Sequence, residues 1–309
     1  DQGFVINLLS GTLILATPIL LAALGEMFAE RSGVLNLGIE GMMAVGAIIA
    51  FATIYYTGNL WLGLLAAGLA GVSISLVHAF MTITLGVSQE VCGIGITILG
   101  TGVSIYLNRI FFGGSWPSER IHGFESIPIP ILSQIPIIGP VLFNTTIFVY
   151  MGLILVPILS FILYKTTIGL KIRAVGENPA AADTLGVNVY LVRYLCVLFG
   201  GFMAGIAGAY LSTSQMRMFF EGMVAGRGWI ALAIVIFGGW SPWKILGASI
   251  FFGGIDAFQM RLQPLYPWFP YQVLMMLPYV FTVLILLFTS RKYMGPGALT
   301  IPYKRGESH

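Results

Sequence analysis

Charged residues are scarce in this chain. Only 9% of its 309 residues are Asp, Glu, Lys or Arg, whereas 57% are hydrophobic, and the mean hydropathy is +0.92. A soluble globule of this length would need more charge to cover its surface, so lipid must be the solvent for most of the molecule. Because backbone polar groups in lipid must be satisfied internally, the composition predicts an all-α, polytopic integral membrane protein.

Cysteine and histidine are also scarce. Cys92 and Cys196 lie far apart, each inside an apolar stretch. This predicts two buried thiols that pack as small hydrophobic side chains, and no disulfide framework. His78, His122 and His309 are well separated and have no cysteine partners at ligand spacing. We therefore expect no metal site.

Motifs for nucleotide binding and catalysis are missing. No G-x-x-x-x-G-K-[ST] sequence occurs, so the chain is not expected to hold ATP in a P-loop or to energise a process by itself. No nucleophile with a matching base is recognisable, which disfavours an enzyme, and no cofactor is expected in this chain. The net charge of +3 comes from basic residues in short loops and at the C-terminus, a pattern that does not indicate a nucleic acid partner.

Long apolar runs dominate what is present. A helix needs about 20 apolar residues to cross a bilayer. The candidate spans are Phe4–Leu24, Val34–Tyr56, Leu60–Leu85, Val91–Phe112, Thr145–Tyr164, Tyr190–Ser214, Ile230–Trp240, Ile245–Met260 and Tyr271–Thr289. We expect one transmembrane domain over residues 1–309 with about eight to ten helices. Ile230–Trp240 is short for a full span, which predicts a broken or re-entrant helix surrounded by protein.

Basic residues outside the spans predict the orientation. They form two groups, one beside the polar loop 169–190 and one after the last span: Lys165, Lys171, Arg173 and Arg193, then Arg291, Lys292, Lys304 and Arg305. By the positive-inside rule, both groups are cytoplasmic. Counting back through the spans puts the N-terminus and the connection 113–144 outside. This connection is rich in proline, including Pro117, and forms either a rigid extracytoplasmic rim for a partner or a simple packed linker.

Polar side chains within spans are costly unless they are paired or wetted. Six of them are candidates for lining a polar pathway: Asn36, Glu40, Gln89, Asn108, Asp256 and Gln259. A spacing of three puts Asp256 and Gln259 on one helix face. The alternative for this pair is a satisfied hydrogen bond between helices.

The hairpin between the first two spans is the densest polar region. Glu26, Glu30 and Arg31 alternate there with glycines, together with Asn36 and Glu40. This pattern indicates a break in the helix where carboxylates face protein or water. A cytoplasmic turn, with Arg31 paired to a neighbouring carboxylate, is the alternative.

The loop Gly169–Asn188 has the signals of a short helix. Asn178 can cap its start, with Pro179 at the first helical position, and Gly186 can end it. A two-turn helix with a small-residue face can seat in a groove of another protein. The alternative is an amphipathic helix lying on the membrane surface.

Three strings carry a family resemblance: LAALGEMFAERSGVLNLGIEGMMAVGA (Leu21–Ala47), IGLKIRAVGENPAAADTLGVNV (Ile168–Val189) and GGFMAGIAGAYLS (Gly200–Ser212). They resemble the permease subunits of bacterial ABC importers for ribose-type simple sugars and nucleosides. The form ERSGVLNLGIEG is more similar to the nucleoside branch than to the ribose branch.

The resemblance implies a permease of the cell inner membrane that forms half of a translocation pathway. It implies three kinds of protein partner: an ATPase subunit that binds ATP and magnesium, a second permease, with a heterodimer favoured over a homodimer, and an extracytoplasmic solute-binding protein or lipoprotein. The polar loop then resembles a coupling segment held by the ATPase, with candidate residues Arg173, Gly176, Glu177, Asn178, Ala181, Ala182, Leu185 and Gly186. The competing hypothesis is a stand-alone secondary carrier or channel for a small polar solute.

Overall fold

The computed structural model describes residues 2–114, 119–265, 268–289 and 295–306. The helices are α1 (Gln2–Arg31), α2 (Ile39–Thr57), α3 (Leu60–Ala79), α4 (Gln89–Phe112), α5 (Ile138–Leu142), α6 (Ile147–Lys165), α7 (Thr167–Glu177), α8 (Pro179–Thr184), α9 (Val189–Tyr210), α10 (Arg227–Phe237), α11 (Pro242–Leu265) and α12 (Tyr271–Thr289). π-Helical turns extend α3 over Phe80–Thr84 and α9 over Leu211–Gln215. Two short strands, β1 (Ser126–Pro128) and β2 (Asn144–Thr146), pair antiparallel.

The predicted spans all correspond to helices. Among the described residues, six helices are long and apolar enough to cross a membrane, namely α1, α2, α3, α4, α6 and α9. Helix α10 has only 11 residues, in agreement with the predicted short segment. Helix α11 has 24 residues but includes Lys244, Asp256 and Arg261. The architecture is therefore all-α and polytopic, as predicted.

The predicted break between the first two spans is present, but the helix before it is longer than the predicted span Phe4–Leu24. Helix α1 continues to Arg31, so Glu26 and Glu30 are helical and one turn apart. The non-helical turn covers residues 32–38, and Gly33 takes a positive φ of 93°. A hydrogen bond holds this turn against α1, because the Asn36 amide donates to Glu26 Oε1 at 2.9 Å. The helix extends because buried carboxylates can remain helical when their partners come from outside the helix.

Arg31 does not take the role that the turn hypothesis assigned to it. Its Nε donates to the Trp240 carbonyl at 3.2 Å, and the Trp240 indole donates to Glu30 Oε2. Glu26 and Glu30 are each 1% exposed. The end of α1 is thus joined to the turn that follows α10 rather than closed by a local ion pair.

Glycines allow the central helices to pack closely. Helix α9 lies against α1, α2 and α3. A Cβ added at Gly201 would collide with Ser75 and the Gly71 carbonyl, and one added at Gly205 with the Ala67 carbonyl. The Gly201-x-x-x-Gly205 motif therefore serves close helix packing. Cys92 and Cys196 are free and buried, as predicted.

The connection 113–144 packs over one end of this bundle. The Phe124 amide donates to the Thr213 carbonyl at 3.0 Å, and the Ile121 amide to the Arg217 carbonyl at 3.0 Å. Pro117 lies outside the described residues. The opposite end of the bundle gathers the turn 32–38, helices α7 and α8, and residues 295–306, here called the C-terminal segment.

Candidate functional site

The predicted short helix is α8, and its ends have the expected chemistry. The Asn178 side chain accepts a hydrogen bond from the Ala181 amide at 3.0 Å, and Pro179 occupies the first helical position. Leu185 closes the helix, and Gly186 follows with a φ of 84°. Helix α7 precedes α8 directly, so the two form a helical corner, here called the α7–α8 corner. The local prediction from Asn178 to Gly186 is confirmed.

The eight coupling candidates divide by exposure. Glu177, Asn178, Ala181, Leu185 and Gly186 are exposed, and Arg173 is half-buried. The Leu185 side chain is 85% exposed, the largest exposed fraction among the large hydrophobic residues that the structure describes. It projects from the end of α8 instead of joining the core.

Gly176 and Ala182 are buried and serve the base of the corner. A Cβ at Gly176 would collide with the Arg31 carbonyl, and the Gly176 carbonyl accepts from the Ala298 amide at 2.8 Å. Ala182 packs with Val175 and Tyr303. These two residues are covered by the rest of the chain, so they are not part of the exposed surface of the α7–α8 corner. The sequence alone did not separate them from the exposed members.

The C-terminal segment holds the α7–α8 corner. The Gly297 amide donates to Glu177 Oε2 at 3.2 Å. The Tyr303 hydroxyl donates to Asp183 Oδ2 at 2.9 Å, and Arg305 donates to both Asp183 oxygens. These contacts lower the pKa of Asp183 to about 2, with the hydrogen bonds from Arg305 as the main cause.

The same segment also contacts α9. Arg193 is 1% exposed, and it donates from Nη1 to the Ile301 carbonyl at 3.0 Å and from Nε to the Ser32 carbonyl at 3.1 Å. Arg193 thus connects the C-terminal segment to the turn 32–38. In the sequence, Arg193 indicated only the orientation of the chain in the membrane. Its hydrogen bonds were not predictable, because its partners are backbone carbonyls distant in the chain.

Glu40 binds the start of the short helix α10. Its Oε1 accepts from the Gly226 amide and its Oε2 from the Gly228 amide, both at 2.8 Å. A carboxylate at a helix N-terminus satisfies amides that have no partner within the helix and interacts favourably with its dipole. The sequence predicted Glu40 as a possible pathway-lining residue, and it did not indicate that the carboxylate would bind the amides of Gly226 and Gly228.

Three other pathway candidates are almost completely buried: Asn36, Gln89 and Asn108 are at most 1% exposed. Asn36 Oδ1 accepts from the Gly38 amide at 2.9 Å. Gln89 Oε1 accepts from the Leu35 amide at 2.7 Å. These two side chains hold the turn 32–38. The Asn108 side chain has no hydrogen-bond partner within the described residues.

Asp256 and Gln259 line a cavity of about 220 Å³ between α1, α10, α11 and α12. Arg227, Gln263 and Tyr279 also reach this cavity. A larger cavity of about 490 Å³ between α10, α11 and α12 has a mostly apolar lining that includes Lys244. Of these two cavities, the smaller one offers several polar groups to a solute. No cluster of three metal-ligating side chains occurs in the described ranges.

Comparison with known proteins connects these features to a family. Residues 8–288 match the family model for the permease component of branched-chain amino acid transport systems. No solved structure matches the chain.

Named relatives cover most of the chain. A protein of Haloferax volcanii provisionally named as glucose ABC transporter permease protein TsgC13 is 44% identical over 268 residues, which is 85% of this chain and 80% of TsgC13. Guanosine ABC transporter permease protein NupQ of Bacillus subtilis is 36% identical over 305 residues, 96% of each chain. Guanosine ABC transporter permease protein NupP of the same organism is 26% identical over 247 residues, 77% of this chain and 70% of NupP. With the family model covering nearly the full length of this membrane-spanning helical bundle, the chain belongs to the family of permease components of branched-chain amino acid transport systems.

Proposed function

We propose that this chain is the transmembrane subunit of an ATP-driven importer for nucleosides, or for ribose-like sugars as the second candidate. The similarity to NupQ over 96% of both chains carries this proposal. The word guanosine in the names of NupQ and NupP favours nucleosides, whereas the name of TsgC13 favours a sugar. We also propose a docking helix for an ATPase, described next. A stand-alone secondary carrier would have no use for such a helix.

The α7–α8 corner is the proposed coupling segment. Exposed Leu185 and Ala181 would enter a groove of a separate ATPase subunit, with Glu177 and Asn178 at the edge of the contact. Gly176 and Ala182 would keep the corner close to α1 and to the C-terminal segment. Movement of the ATPase would then reach the membrane helices through contacts that already join α8, α9 and the turn 32–38.

A second permease subunit is proposed to complete the pathway. Bacillus subtilis has two guanosine permease proteins, NupQ and NupP, that both match this chain but to different extents. This favours a heterodimer in which the chain takes the position of NupQ. The two subunits would alternate between outward and inward access as paired ATPases close and reopen.

The proposed orientation has the α7–α8 corner and the C-terminus in the cytoplasm and the N-terminus outside the cell membrane. Lys171 and Arg173 in the α7–α8 corner, with Lys304 and Arg305 in the C-terminal segment, support this assignment. The connection 113–144 would then face the solute-binding protein.

Purification from native membranes tests the proposal. We expect an ATPase and a second permease to co-purify with the full chain, and the reconstituted complex to take up guanosine or ribose in an ATP-dependent way. Uptake by the chain alone in liposomes, without ATP, would instead establish the secondary carrier. Glucose uptake without guanosine or ribose uptake would overturn the proposed substrates while leaving the importer in place.

A further inference from the structure

The cavity beside α10 has a built polar face. One side of helix α11 faces the cavity, because its lining residues follow each other at helical spacing. These residues are Phe252, Asp256, Gln259 and Gln263. Helix α12 contributes Tyr279 to the lining. The volume of about 220 Å³ is below the range of complete drug-sized sites and suits part of a small solute.

Polar groups in this cavity lack protein partners. Gln259 is only 4% exposed, and within the described residues its side chain makes no hydrogen bond. The Asp256 carboxylate also makes none there, although the positive charge of Arg227 acts on it. Unmatched polar groups in a membrane-embedded bundle are costly, and an ionisable residue among several of them at one cavity indicates a candidate functional site.

Arg227 is held in place by its own loop. Its Nη1 donates to the carbonyls of Met223 and Val224, both at 3.1 Å. This arrangement fixes the guanidinium at the cavity wall and leaves other donors available. The adjoining Ala225 has a φ of 51°, a left-handed conformation that is unusual for a residue with a side chain. Backbone strain thus lies in the loop that forms one wall of the cavity.

The backbone amides at the start of α10 are not available to an anion. Glu40 already accepts from Gly226 and Gly228. The Asp256 carboxylate on the other side would repel a second negative charge. Recognition in the cavity therefore falls to a carboxylate, two amides and a guanidinium, which suit a neutral solute with several hydroxyl groups.

We propose that Asp256, Gln259 and Arg227 form a solute subsite in which the Asp256 carboxylate accepts hydrogen bonds from two neighbouring hydroxyl groups. Gln259 donates and accepts at a third polar group, and Tyr279 covers an apolar face of the solute. The inference rests on the proposed function, and it names the part of the solute that this subunit reads: a vicinal diol, as found in ribose and ribonucleosides.

Uptake by the reconstituted complex tests the subsite. The probes are guanosine and 2′,3′-dideoxyguanosine, each at a saturating level of the solute-binding protein. We expect Asp256→Asn to lower guanosine uptake about tenfold, since hydrogen bonds to a charged group are lost, while dideoxyguanosine uptake changes less than about twofold. Gln259→Leu should lower the uptake of both probes, because it removes a polar contact that does not depend on the diol.

Ser249→Ala is the matched control. Ser249 lies on the same helix, is fully buried with an unpartnered hydroxyl, and does not line the cavity. It should leave both uptake rates unchanged. Co-purification of the ATPase with each variant checks folding.

The experiment distinguishes a wrong subsite from wrong proposed substrates. If the unmodified complex transports guanosine but Asp256→Asn and Gln259→Leu behave like Ser249→Ala, the subsite is wrong. An Asp256→Asn effect of equal size on both probes would also overturn diol recognition. If Asp256→Asn does not fold, an unchanged guanosine rate in Gln259→Leu still overturns the subsite. If the unmodified complex transports neither guanosine nor ribose, the proposed substrates themselves are wrong.

Discussion

Arg305 binds Asp183 across more than a hundred residues of chain, with its Nε 2.8 Å from Oδ2 and its Nη2 2.7 Å from Oδ1. This two-point contact joins the C-terminal segment to α8, the helix proposed to meet the ATPase. Bidentate pairs between arginine and a carboxylate are geometrically specific. The proposed docking helix is therefore held from behind by the end of the same chain.

Breaking this pair should loosen the C-terminal segment. We expect Arg305→Leu to increase amide hydrogen exchange over residues 295–306 and α8, because Asp183 loses its main partner. Hydrogen exchange with mass spectrometry, on the protein in detergent, measures this directly. Arg120→Leu, at an exposed arginine of the connection 113–144, is the control and should change neither region. Equal exchange in both variants would mean that the pair does not hold the segment.

The Asp183 contact should persist in moderate acid. Its pKa is lowered from 3.8 to about 2 by hydrogen bonds from Arg305 and Tyr303. A group with a lowered folded pKa contributes stability above its unfolded pKa and loses that contribution as pH falls through the folded value. Attachment of the segment should thus be constant from pH 7 to about 4 and weaken only towards about 2. Pulsed hydrogen exchange at a series of pH values measures this, and release near pH 5 would contradict it.

Leu185 should matter for coupling more than for folding. Because its side chain is 85% exposed, Leu185→Glu should leave thermal stability unchanged but detach the ATPase or reduce solute-stimulated ATP hydrolysis at least about tenfold, as a central interface residue does. Leu132→Glu makes the same change at an exposed leucine of the connection 113–144 and should retain the ATPase. Co-purification and ATPase assays compare the two. Full coupling in Leu185→Glu would remove the main support for the docking role.

Glu40 should be important for the stability of the α10 start. Glu40→Gln replaces one accepting oxygen with an amide nitrogen, and Glu40→Ala removes both acceptors. Each unsatisfied backbone amide costs about 1–3 kcal/mol, so the alanine variant should be the less stable of the two. Thermal unfolding in detergent gives the order. Equal melting temperatures for both variants and the unmodified protein would show that these two hydrogen bonds add nothing to stability.

Two glycines of α4 offer a direct test of helix packing. A Cβ at Gly100 would collide with the Gly41 backbone, whereas Gly102 has open space around it. We expect Gly100→Val to destabilise the bundle by about 1–3 kcal/mol or more, because the backbones must separate. Gly102→Val should be neutral or slightly stabilising, because the added side chain meets open space and valine has a higher helix propensity than glycine. Thermal unfolding of the pair in detergent checks the difference, and similar melting temperatures for both variants would mean that the close approach at Gly100 does not limit packing.

Local features of the sequence were sufficient to predict most of the helices. Apolar length predicted the spans, and Asn178, Pro179 and Gly186 predicted α8, because capping and span length depend on neighbouring residues. The exception was the end of α1, where the predicted span stopped at Leu24, before Glu26 and Glu30. They stay helical because their partners, the Asn36 amide and the Trp240 indole, lie outside the helix.

The candidate sites were predicted less completely. Polarity within spans selected Glu40, Asp256 and Gln259, but it did not distinguish a carboxylate that caps a helix from one that faces a cavity. It also missed Arg227 and Tyr279, which look like ordinary interfacial or loop residues in the sequence. Their positions depend on how α10, α11 and α12 pack.

Composition and short motifs by themselves determined that this chain is a helical membrane protein with a capped polar helix between two spans. Only the tertiary structure decided that Glu40 binds the start of α10, that Gly176 and Ala182 are covered while Leu185 is exposed, and that Arg305 reaches Asp183. The physical reason is range: helix formation and membrane insertion depend on residues close in the chain, whereas buried hydrogen bonds and cavities are set by segments that meet only when the whole bundle is packed.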